Sequence, residues 1–152
     1  MLLSGQGNTE VYDYNNYSLK EYKSNDEENK DICIYCVNLF NKNNKNNIIH
    51  LINGYSDGRI KIFDFNTAEE KFSIKVGGKE IYGLCSLNEK YFLVGDNKEI
   101  KVIDFDKRKS IKSCKDLGDG VIQGLEKLKI VDKGEFIISY SSNIITLWKV
   151  NN

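Results

Sequence analysis

Apolar and polar residues alternate along most of this chain, and the alternating phrases recur. The stretches 8–14 (NTEVYDY), 59–65 (RIKIFDF), 99–105 (EIKVIDF) and 144–150 (IITLWKV) share one layout. A period of two puts successive side chains on opposite faces, which predicts a β-strand in each phrase. Each phrase closes on an aromatic residue or Ile followed by Asp13, Asp64, Asp104 or Lys149, at steps of 51, 40 and 45 residues. A repeat of that size marks an array of supersecondary units, none able to bury its apolar face alone.

Every phrase follows a second apolar run and a turn. The run 48–54 leads through Tyr55-Ser56-Asp57-Gly58, and 91–95 leads through Asp96-Asn97-Lys98. The run 136–139 leads through Tyr140-Ser141-Ser142-Asn143, and Leu2-Leu3-Ser4-Gly5 holds the same place at the start. Asp-Gly and Asp-Asn between apolar runs favour hairpins, because such turns need residues tolerant of positive φ. A third run lies upstream: Ile34-Tyr35-Cys36-Val37, Ile81-Tyr82-Gly83-Leu84 and Ile122-Gln123-Gly124-Leu125. Its small third residue suits a strand with a close neighbour. A fourth, more polar run at 19–23, 71–75 and 110–115 suits an outermost strand with a wet edge. The expected total is fourteen strands, in units of three, four, four and three. The polar run 41–47 exceeds the period and predicts a solvated loop, as does 25–30.

These residues resemble the WD-repeat β-propeller family. The order of small polar turn, alternating strand and aromatic-Asp matches best from Asp57 to Asp64, and the resemblance covers nearly the whole chain. Trp occurs only at Trp148, where Lys149 replaces the family's Asp. Gly77-Gly78 and Gly118-Asp119-Gly120 stand where the family has Gly-His, and the one histidine, His50, lies in another strand. The family's buried His–Asp–Ser–Trp network is therefore incomplete in every unit, although Asp57 fits its Asp position. The resemblance implies an all-β fold of about four four-stranded antiparallel sheets, the blades of a partial ring. They form one propeller segment spanning 1–152, with blades roughly at 1–24, 31–76, 79–115 and 120–152. Starting in mid-blade reads as the C-terminal part of a larger propeller. Open blade edges then invite self-association.

Composition narrows the function. The 152 residues carry 22 basic and 22 acidic side chains, net charge zero. That argues against the basic stripe of a nucleic-acid surface and against a polybasic membrane patch. No apolar run approaches the roughly 18 residues of a membrane-spanning helix. Met1-Leu2-Leu3 is too short for a signal-peptide core, so a cytoplasmic setting is expected. Cys33 and Cys36 spell C-x-x-C, but a zinc site needs a second ligand pair, and only Cys85, Cys114 and His50 remain. Strand residues three apart also point to opposite faces, so core thiols and no metal are expected. Gly5-Gln6-Gly7 lacks the Lys-Ser/Thr and the helix of a phosphate loop and reads as a hairpin turn. Asp64 and Asp104 are one structural position in two units, and His50 sits in an apolar strand. No catalytic residue, cofactor or metal is expected.

The expected function is that of a non-catalytic scaffold that binds a protein or peptide. The resemblance places its contacts on the loops of one face: Tyr55, Asp57, Arg59, Lys79, Glu80, Asp96, Lys98, Asp119 and Asn143. Tyr55 and Arg59 rank first, since aromatic residues and Arg are the usual interface anchors. The alternatives are an accessory C-terminal portion of a multidomain enzyme, such as a kinase or ubiquitin ligase, or a structural subunit of a cytoskeletal or ciliary assembly.

Overall fold

A computed structural model describes residues 2–4, 8–13, 15, 18–23, 32–42, 48–97, 99–115 and 121–150. The first blade holds β1 (Leu2–Ser4), β2 (Asn8–Asp13) and β3 (Ser18–Lys23). The second holds β4 (Ile34–Lys42), β5 (Ile48–Tyr55), β6 (Arg59–Asp64) and β7 (Glu70–Lys75). The third holds β8 (Ile81–Ser86), β9 (Tyr91–Asp96), β10 (Glu99–Asp104) and β11 (Lys109–Lys115), and the fourth β12 (Gly124–Ile130), β13 (Gly134–Tyr140) and β14 (Ile145–Lys149). Each sheet is antiparallel, with its strands in sequence order. The described residues contain no helix, and the grouping of three, four, four and three strands is the one the alternation predicts. One expectation is corrected. Asn41 and Lys42 are not loop but the end of β4, paired with Ile49 and Ile48, and Lys42 is ion-paired with Asp106. Residues 43–47, the run 25–30, Gly5–Gly7 and Gly118–Gly120 lie outside the described residues.

Three apolar seams hold the blades together. Tyr22 of the first blade meets Leu51 and Phe63 of the second. Phe40, Ile52, Ile60 and Ile62 of the second meet Ile81, Leu84, Phe92 and Ile103 of the third. Leu93 and Ile100 of the third meet Ile122, Leu125 and Ile137 of the fourth. A blade in mid-array is thus covered on both sides. The polar member of the β6 alternation, Lys61, is only 1% exposed. Its ammonium is held by Glu70 Oε2 at 3.2 Å and lies over the Tyr55 ring. Taking that charge out of water is costly, and the partner carboxylate offsets the loss.

The seams also carry polar stitches. Tyr22 Oη donates to Phe65 O at 2.7 Å, and burial pushes its pKa up to about 12. Between the innermost strands β4 and β8, Asn38 Nδ2 donates to Leu84 O at 3.2 Å, and Ser86 Oγ donates to Leu39 O at 2.7 Å. The Cys36 thiol donates to Ile81 O at 3.2 Å, and burial pushes it up to about 12. At Gly83 the inner strands β8 and β12 approach closely: an added Cβ would lie 2.9 Å from Leu125 Cγ and 3.2 Å from the Gly124 backbone.

The recurring aspartate has a local cause. Asp13 Oδ1 accepts the Asn15 N–H, Asp64 Oδ1 those of Asn66 and Thr67, and Asp104 Oδ1 that of Lys107, all at 2.9–3.0 Å. In the first three blades the carboxylate closes the turn that leads into the outermost strand by satisfying N–H groups that no strand pairs, whereas the fourth blade has Lys149 at this place. Those backbone bonds, led by Thr67 and Lys107, hold Asp64 and Asp104 below the ordinary carboxylate range.

Candidate functional site

The upper end of the sheets, where β5 turns into β6 and β9 into β10, gathers most of the residues named from the sequence. In the first of these turns Gly58 has φ of 83°, and its N–H bonds Tyr55 O at 3.1 Å. An added Cβ there would sit 2.5 Å from the carbonyl oxygens of Gly77 and Lys79, so only glycine fits. Asp57 Oδ1 accepts the Arg59 N–H at 3.0 Å, and its other oxygen is ion-paired with Arg59 Nε. Gly58 O in turn accepts the N–H of Val76 at 3.0 Å, locking the turn to the connection that enters the third blade.

Two expected contact residues are corrected by this geometry. Tyr55 is 2% exposed, because it ends β5 opposite Ile34 and its ring lies beneath Lys61. Asp96 is 6% exposed and binds Lys101 Nζ at 2.6 Å, which also reaches Val76 O at 3.1 Å. Both residues build the scaffold beneath the surface. Asp57 and Arg59 are half-buried and bonded to each other; Lys79 and Asn143 are exposed and Glu80 is half-buried. Lys98 and Asp119 lie outside the described residues.

The upper rim presents a feature that reading along the sequence missed. In β4 the register runs from Ile34↔Tyr55 to Cys36↔Gly54, leaving Tyr35 as a one-residue bulge. In β8 it runs from Ile81↔Asp96 to Gly83↔Gly95, leaving Tyr82 in the same position. A bulge re-aims the extra side chain. Here it aims two of them at each other: the rings stack at 4.9 Å between centroids, 6° from parallel. Tyr35 is 44% exposed, so the outer ring face meets solvent. Burial first, then the nearby Glu80 carboxylate, raises the Tyr82 pKa. The available signal was Tyr at the second place of two aligned runs, with Gln123 in the third.

At the lower end a hollow of about 650 Å³ is lined by Leu39, Ser86, Asn88, Lys90, Tyr91 and Lys127. Its polar groups are turned on one another. Asn88 Oδ1 accepts the N–H groups of Lys90 and Tyr91, and Lys127 reaches Leu87 O at 2.7 Å and Glu135 at 3.0 Å. Core positions are expected for the thiols, and one of the four is fully buried. Cys85 is buried, with its pKa pushed up to about 11, whereas Cys33, Cys36 and Cys114 are half-buried. Among the described residues no three His, Cys, Asp or Glu side chains group as metal ligands. Trp148 Nε1 donates to Ser139 Oγ at 2.8 Å, which reproduces the Trp–Ser half of the network discussed above.

No protein-family model matches this chain, and no curated protein matches it by sequence. A chain in the crystal structure of a mitotic checkpoint complex matches its fold, with a TM-score of 0.76 at 15% identity. The match covers 97% of this chain and 42% of that one, so this chain spans less than half the length of the structure it resembles. At such identity the likeness is one of fold. The four antiparallel sheets have the fold of β-propeller blades.

Proposed function

We propose that this chain is a non-catalytic interaction module that holds a protein or peptide on the upper rim of its blades. One observation carries the reading: two tyrosines, displaced by matching bulges in successive blades, stack and keep an open ring face at the inner edge. Tyr offers a large, rigid contact area and a polar tip at little entropic cost. The Glu80 carboxylate lies near Tyr82, and Arg59, at the start of β6, and Lys79 and Asn143, on connections between strands, are offered as further polar contacts. The fold supports the reading, since the matched propeller chain belongs to a protein assembly. A neutral net charge fits a protein partner in the cytoplasm better than nucleic acid or a membrane.

The test is selection of a displayed random-peptide library on the purified chain. Recovered peptides are then titrated by fluorescence anisotropy against wild type, the double variant Tyr35→Ser/Tyr82→Ser and an outer-strand control, Lys109→Ser. Affinity should fall at least about tenfold in the double variant and stay unchanged in the control. Equal affinity for all three would refute the assignment.

A further inference from the structure

The strands β3, β7 and β11 hold the same place, each the outermost of its blade with no described strand on its outer edge. On β3 and β7 every lysine is bonded within the chain. Lys20 Nζ donates to Phe65 O at 3.1 Å, and Lys23 pairs with Glu21 at 3.0 Å. Lys71 pairs with Glu69 at 3.3 Å, and Lys75 Nζ donates to Asp57 O. On β11 this pattern stops. Lys109, Lys112 and Lys115 are all exposed, and among the described residues their ammonium groups have neither an ion pair nor a hydrogen bond. The stretch 107–115 carries five cations and no carboxylate, whereas the matching stretch 67–75 carries two of each. The third blade is covered on both faces by its neighbours, so this open edge belongs to an inner blade of the array.

A bulge shapes the same edge. The register of β11 runs from Val102↔Lys112 to Ile103↔Ser110, leaving Ile111 as the extra residue, 46% exposed. Lys71 is the extra residue at the matching place on β7, so an apolar side chain stands where the second blade has a charged one. Beyond the bulge, residues 112–115 pair regularly with β10 and leave a straight outer edge, with Lys109 on the far side of the bulge. Lys112 stands opposite Val102 and Lys115 opposite Glu99, three residues apart on β10, so the two lysines lie on opposite faces of the sheet. A flat anionic membrane meets one face at a time. A segment running along the edge, its own side chains alternating, meets both. β11 has no aromatic ring on which a nucleic-acid base could stack.

We propose that this edge takes an acidic, extended segment of a partner protein as a fifth strand of the third blade. Its backbone pairs with residues 112–115, its carboxylates meet Lys112 and Lys115, and an apolar side chain covers Ile111. Lysines guard an open edge against apolar and basic strands, whose approach desolvates or repels their charge; an acidic strand is the one that removes this cost. The surface is separate from the tyrosine ledge and does not depend on it.

Fluorescence anisotropy of the purified chain with a labelled peptide of alternating glutamate and valine, as long as the 7 residues of β11, tests the edge. Saturable binding that weakens with added salt is expected. Lys112→Glu/Lys115→Glu should lower the affinity at least about tenfold. Lys129→Glu/Lys133→Glu makes the same change of charge at two exposed positions near the turn between β12 and β13 and should leave the affinity unchanged. Both variants change exposed side chains and should keep the wild-type far-UV circular dichroism. A peptide of the same sequence with its backbone nitrogens methylated cannot pair as a strand and should not bind. Binding of the methylated peptide, equal affinity for the two charge variants, or no binding by the wild type would overturn the proposal. So would tighter binding of oligothymidine or of phosphatidylserine vesicles through the same two lysines, which would assign the edge to nucleic acid or to lipid.

Discussion

The seam between the second and third blades should carry a large share of the stability, and Ile62→Ala measures it. Ile62 is fully buried within the cluster that joins these blades. Truncation removes three carbons, and at about 0.8 kcal/mol per buried methylene the transfer loss is roughly 2.5 kcal/mol. The cavity left between two rigid sheets raises the cost to about 3–4 kcal/mol. For a chain of this length that lowers Tm by roughly 10 °C. Ile111 lies on β11 at 46% exposure, and Ile111→Ala should cost less than about 1 kcal/mol. Urea unfolding can be followed in parallel by far-UV circular dichroism and by the fluorescence of Trp148, the single tryptophan. Trp148 lies in the seam between the third and fourth blades, so its signal shows whether damage in one seam is felt in the next. Coincident transitions shifted by the full amount are expected. If Ile62→Ala costs no more than Ile111→Ala, apolar burial between blades does not hold the array together.

Two further predictions concern buried charge. Burial lowers the His50 pKa below 6.5 despite the opposing pull of Asp64, so below that pH the unfolded chain binds more protons than the folded one. Stability should therefore fall as pH drops from neutrality through this value, and His50→Phe should flatten that slope in urea titrations at several pH values; an unchanged slope would show that His50 is not its source. Glu70→Ala removes the carboxylate 3.2 Å from the buried Lys61 ammonium and should cost about 3 kcal/mol, whereas Lys61→Met should cost far less. Equal costs in urea unfolding would mean that the pair does not compensate the buried charge.

The repeat made the fold legible because each phrase could be checked against three others, and the strand pairing follows the same phase in every blade. Alternation states which residues share a face, but not what covers that face. Lys61 is the polar member of its alternation, yet it is buried, its ammonium held by Glu70 and lying over the Tyr55 ring. Tyr55 reads as a turn residue and lies under the turn. Asn41 and Lys42 lack apolar character, yet backbone pairing with Ile48 and Ile49 extends the strand without it. The tyrosine ledge depends on one extra residue in each of two strands, a register fact visible only once the partner strands are in place.

The thiol of Cys36 gives the innermost seam a built-in clock. With its pKa near 12 and its proton held by Ile81 O, it carries almost no thiolate at neutral pH, and the thiolate is the form that reacts. An alkylating reagent can capture it only when β4 and β8 part, which also breaks the Asn38 and Ser86 bonds beside it. The rate of its modification, followed at Cys36 apart from the other three free thiols, is therefore a measure of how often the hub of the array opens.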